Sequence, residues 1–138
     1  MSSFLFLARD GYYDKTPCHR LTLSAPLQVL QCGDPTGKGT GGPGYGYGIE
    51  NAPADGKYPA GTLAMARGND PNTNGSQFFV TWGDSTLPTD GGGYSIFGRV
   101  TKGLDVVQGV ADKGTSDGQP DGSPKEAIDI ESIAVKPA

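Results

Sequence analysis

Basic residues are scarce in this sequence and never clustered. Eleven Lys and Arg stand against 15 Asp and Glu, for a formal net charge of −4. Without a basic patch there is no electrostatic footprint for a phosphate backbone, so nucleic acid is not an expected partner. Long apolar runs are also missing. The longest fall far short of a bilayer span, and no basic n-region precedes a long apolar segment. No membrane contact is expected of the visible chain, which reads as soluble and cytoplasmic. A single histidine, His19, rules out a His-rich metal site. Two cysteines, Cys18 and Cys32, make neither a CxxC pair nor a tetrahedral zinc set, so neither metal nor cofactor is expected. No GxSxG nucleophile elbow occurs.

Glycine and proline are what the sequence has in plenty, 23 and 11 of 138 residues. Apolar runs such as LQVLQC, TLAMA, QFFVTW and YSIFGRV are spread from end to end, so the composition describes a turn-rich folded domain rather than disorder. The length bounds it to one domain, residues 1–138. SSFLFLARDG places Phe4, Leu5, Leu7 and Ala8 on one side at helical spacing, with Ser2 or Ser3 to cap it and Gly11 to end it. TPCHRLTL and LQVLQC read as a hairpin around SAP. GTLAMA, QFFVTW, YSIFGRV and AIDIESIAV read as further strands, and GLDVVQGVADKG as a second short helix. RGNDPNTNG, LPTDGGG and TSDGQPDGSP read as loops. The expected fold is mainly β, an antiparallel barrel capped by two helices.

The stretch QCGDPTGKGTGGPGYGYG, residues 31–48, superficially suggests a phosphate-binding loop. Gly33 and Gly37 are one residue too close for that motif, Gly39 stands where its Ser or Thr belongs, and no helix pattern follows. Asp34 and Pro35 are turn residues, Asp34 by bonding nearby backbone. The glycines read as a bare wall that lets another backbone come close.

YYDKTPCHRL, LQCGDPTGKGTGGPGY and GTLAMARGNDPNTNGSQFFV followed by FGRV resemble, in order, the cyclophilin family of peptidyl-prolyl cis–trans isomerases. The resemblance covers nearly the whole chain. NTNGSQFF is highly specific, and CHRLT with LQCGDP is similar to an actinobacterial branch. It implies an eight-stranded antiparallel barrel with a helix at each end. The family has two strands before its first helix, whereas this sequence starts at that helix. Those strands are therefore expected to be absent and the barrel to be open at an unpaired edge.

The resemblance also implies a function. It is isomerisation of Xaa-Pro bonds in peptides and folding proteins, by non-covalent stabilisation of the twisted amide. Arg20 matches the catalytic Arg of the HR motif, and Gln31 the substrate-binding Gln on the next strand. In a hairpin the two would share a face. Phe79, Val29, Leu87 and Tyr94 are the expected proline pocket, with Phe79 as its floor. Gln28 stands where Phe is usual. Ala66 and Arg67 match a pair whose backbone meets the substrate. Gln77 is an expected neighbour of Arg20, and Gly39 matches a binding-loop glycine. The Trp that grips cyclosporin in the family aligns near Thr86, so cyclosporin binding is expected to be weak. The competing reading is a chaperone-like module that holds proline-containing segments without turnover.

Strand parity adds three expectations. Phe78 should lie in the core and Phe79 in the cleft. His19, one residue from Arg20, should be a buried structural imidazole. Cys18 should share the face of Arg20 while Cys32 points away from that of Gln31, so the two thiols should form no disulfide.

Overall fold

The computed structural model describes residues 2–68 and 70–136; Asn69, in the RGNDPNTNG turn cluster, lies outside them. Among the described residues the chain is mainly β with two α-helices. Helix α1 (Ser2–Arg9) buries Leu7 and Ala8 and leaves Phe6 exposed. Its end follows from Gly11, whose φ of 77° lets Gly11 N–H reach Ala8 O at 3.2 Å and Tyr12 N–H reach Leu7 O at 3.0 Å. That paired arrangement satisfies the last carbonyls of the helix.

The strands are short: β1 (Thr16–Pro17), β2 (Arg20–Thr22), β3 (Val29–Cys32), β4 (Lys57–Tyr58), β5 (Thr62–Met65), β6 (Phe78–Thr81), β7 (Ser85–Thr86), β8 (Ile96–Arg99), β9 (Asp121–Gly122) and β10 (Asp129–Ile130). Helix α2 (Leu104–Asp112) follows β8 and buries Val110 and Ala111. Six strands form one antiparallel sheet in the order β8-β5-β6-β3-β2-β9. The pairs β1–β10 and β4–β7 are separate ladders, so among the described residues the strand pairings do not close into one ring.

Strand β6 is buried along all four residues, because apolar side chains cover both of its faces. On one face Phe78 joins Leu7, Tyr13, Leu21, Leu30 and Met65 in the main core. Phe4 reaches into this core from α1, with its ring 5.4 Å from Phe78 and 4.7 Å from Phe97. On the other face Phe79 joins a second cluster with Val29, Tyr58 and Ala64. The two rings thus lie on opposite faces of β6, but Phe79, expected in the cleft, is itself buried in its cluster.

The cysteine expectation is overturned: Cys18 and Cys32 are disulfide-bonded. TPCHRLTL is not one strand. Thr16 and Pro17 pair with β10, Arg20 to Thr22 pair with β3 and β9, and Cys18 and His19 lie between, outside both ladders. Alternation counted back from Arg20 therefore fails at Cys18, whose N–H instead donates to Ile128 O at 2.9 Å. Cys18 and Cys32 both sit in the main core. Two smaller corrections concern length. TSDGQPDGSP is not all loop, since it carries β9. Of AIDIESIAV only Asp129 and Ile130 enter a ladder, while Ile128 and Ile133 pack on the core without strand pairing.

Candidate functional site

The site is a row of side chains across the sheet. Arg20 is the register partner of Gln31, Gln31 of Phe79, and Phe79 of Ala64. Directly opposed residues on neighbouring strands project from the same face, so the row brings a cation, an amide and a ring together on one surface.

Hydrogen bonds run along the polar half of the row. Arg20 Nη1 donates to Gln31 Oε1 at 3.1 Å. Gln31 Nε2 donates to Gln77 Oε1 at 2.8 Å. Gln77 Nε2 then donates to the carbonyls of Gly39 and Gly41, each at 3.0 Å. Because a guanidinium only donates, each amide in turn has its oxygen toward Arg20 and its nitrogen away. The cation thus orients two amides and, through them, the glycine-rich wall.

That wall is held by Asp34, which has no solvent exposure. Its carboxylate accepts from Thr36 N–H and Thr36 Oγ1 on one oxygen, and from the N–H groups of Lys38, Gly39 and Gly41 on the other. Burial alone would raise its pKa. The donors from Gly41, Thr36 and Gly39 outweigh burial and hold it well below the usual carboxylate range. Gly39 has φ of 83°, and a methyl group there would lie 3.4 Å from His19 Nε2. The wall bounds an open cleft of about 760 Å³, lined on its far side by Ala66, Arg67 and Thr73.

The apolar half adjoins this cleft at Ala66. Val29, Phe79, Leu87 and Tyr94 come together as expected, joined by Tyr58, Ala64, Leu27 and Ile96. Tyr94 stands 6.0 Å from Phe79 at 77°, an edge-on contact. Two residues hold it. The Tyr58 hydroxyl donates to Tyr94 O and accepts from Tyr94 N–H, both at 3.0 Å. Arg67 covers the ring at 4.7 Å while donating to the carbonyls of Gly93, Gly68 and Asp90. Arg67 is thus tied to its surroundings rather than being a loose charge at the rim. The Ala66 N–H is already donated to Gln77 O at 2.9 Å.

Gln28 does not join the cluster. Its N–H bonds Ser85 Oγ, its side chain lies against Gly83, and Leu27 supplies the apolar contact instead. Trp82 donates Nε1 to Thr22 O at 3.0 Å and packs on the main core, away from the Phe79 cluster. Thr86 sits in β7 opposite Lys57. His19 is half-buried rather than fully so, and its Nδ1 is buried with no hydrogen-bond partner.

Two site residues escaped the sequence reading. Tyr58 gave only the signal of an aromatic beside Pro59 at a strand start. Asp121 lay in a segment read as loop. It binds Arg20 in a forked pair, Nε to Oδ1 at 3.0 Å and Nη2 to Oδ2 at 2.8 Å. The pair raises the Arg20 pKa and lowers that of Asp121, in each case chiefly through this hydrogen bonding.

Among the described residues the structure is thus an antiparallel β fold with two helices, carrying a cation–amide relay beside a buried apolar cluster. The chain belongs to the cyclophilin-type peptidyl-prolyl cis–trans isomerase family, whose description matches residues 1–135. It is 44% identical over 147 residues to a probable peptidyl-prolyl cis-trans isomerase B of Mycobacterium tuberculosis, covering 96% of this chain and 46% of that protein. A Mycobacterium leprae protein of the same name is 45% identical over 145 residues, covering 96% and 48%. The chain thus spans about half the length of these curated relatives. A cyclophilin-type isomerase of Cryptosporidium parvum, solved in the presence of the dipeptide Ala-Pro, matches with a TM-score of 0.77 and 34% identity, covering 99% of this chain and 84% of that one.

Proposed function

We propose that this domain catalyses cis–trans isomerisation of Xaa-Pro peptide bonds. The observation that carries the reading is the register row that sets Arg20 and Gln31 beside the Phe79 patch. Amide resonance opposes rotation by ~18–20 kcal/mol. As the bond twists, the prolyl nitrogen regains a lone pair. A fixed N–H donor aimed at it favours the twisted over the planar amide. The prolyl ring would rest on Phe79, between Val29, Leu87 and Tyr94, and the flanking backbone would run past Gly39 and Ala66. Arg20 would supply the donor, with Gln31 and Gln77 holding neighbouring polar groups in place. No bond is made or broken, so binding and orientation are the whole of the chemistry.

Exchange NMR on an Xaa-Pro peptide tests this. The wild-type domain should speed exchange well above the peptide alone, and Arg20→Ala should lower that enhancement by ~100-fold, the order seen when one preorganised donor is removed. Equal enhancement by both proteins would sink the proposal. Peptide binding without any enhancement would favour the holding module instead.

A further inference from the structure

Among the described residues Asp121 is the one charged group that grips Arg20, and the isomerase reading gives it no part. It stands on β9, opposite Thr22, one diagonal step from Arg20 on the shared face. The fork engages Nε and one hydrogen of Nη2, while Gln31 takes one hydrogen of Nη1. The second hydrogen on each terminal nitrogen remains for a ligand. A guanidinium is planar and rigid, so bonds at three of its positions fix both its plane and its rotation. Gln31 alone would leave the plane free to swing about the Nη1 contact.

The pair is not there chiefly for stability. The two side chains are 40% and 52% exposed, and exposed pairs contribute only ~0–1 kcal/mol. Nor does β9 depend on it, because its register with Leu21 and Thr22 is a backbone ladder, and Thr115 and Ser116 bind back across the loop to Gln119 and Ser123. What the fork does is fix the plane of a guanidinium whose remaining donors stand on the same sheet face as Gln31 and Phe79.

We infer that Asp121 is a positioning residue for the isomerase reaction, acting through the orientation of the Arg20 guanidinium. This rests on the isomerase reading. The substrate meets Arg20, not Asp121, so loss of Asp121 should reduce turnover more than binding.

The test compares wild type, Asp121→Ala, Asp121→Asn and Asp121→Glu by exchange NMR over a range of peptide concentrations, with Arg20→Ala as reference. Asp121→Ala and Asp121→Asn should lower kcat by ~10-fold with KM changed less than ~2-fold, the pattern of an orientation lost only in the transition state. Asp121→Glu, which can rebuild the fork, should recover most of the rate. The Arg20 Nε–H resonance should be resolved in wild type and Asp121→Glu and broadened by solvent exchange in the other two. Unchanged kcat in Asp121→Ala, with Arg20→Ala impaired, would overturn the inference and leave the isomerase reading standing. Loss in all three Asp121 variants, with the Arg20 signal intact in each, would also overturn it. A wild type that fails to accelerate exchange would end both.

Discussion

His19 sits one residue from the catalytic candidate Arg20 and outside the Arg20–Gln31–Gln77 relay. Its Nδ1 is buried without a partner, and its imidazole backs the glycine wall at Gly39. Burial lowers its pKa first, Arg20 lowers it further, and Asp34 opposes them without reversing the direction. The unfolded value is ~6.5. A depressed folded value means that the neutral ring favours folding fully above that pH, and that this contribution shrinks as pH falls below it and is gone once pH is below the folded value. The isomerase rate should therefore be flat from pH 8 down to about 6.5. A pH–rate profile with a step centred near 6.5 would show instead that the imidazole titrates in the reaction.

Strand β6 separates two tasks within a pair of adjacent rings. Phe78→Ala should cost ~3–5 kcal/mol of stability through the cavity left among Leu7, Tyr13 and Met65, with little change in kcat per folded molecule. Phe79→Ala should also destabilise, but its folded fraction should lose ~10-fold or more in kcat/KM, because under the proposed function the prolyl ring rests on Phe79. Urea unfolding run beside exchange NMR distinguishes them, and matched kinetic losses in both variants would contradict the assignment. This division was legible in the sequence because Phe78 and Phe79 open one continuous strand, Phe78–Thr81, and alternation holds between them. So was the facing of Arg20 and Gln31 across a hairpin. Alternation failed where the chain leaves a ladder, at Cys18 and His19. It was silent where a strand has only two residues, as in β9, where Gly and Asp look like loop. Asp121 and Tyr58 were hidden for that reason. Their contribution lies in long-range pairing, and neither carries a local pattern.

For the molecule as a whole, the Cys18–Cys32 bond ties the segment just before the Arg20 strand to the end of the Gln31 strand within the main core. It closes a loop with a sequence separation of 14, and loop-closure entropy for that length corresponds to ~3 kcal/mol. The oxidised protein should gain the mass of two hydrogens on reduction, and its urea midpoint should fall accordingly. An intact mass that does not move on reduction would show that the thiols are free. Just beyond the same end of the hairpin, two residues past Cys32, Asp34 gathers a segment that glycine makes costly to order. Folding has already imposed that order through five donors to one buried carboxylate. Under the proposed function, a peptide arriving at the wall would meet a surface with little entropy left to lose, leaving more of its contact energy for twisting the bond.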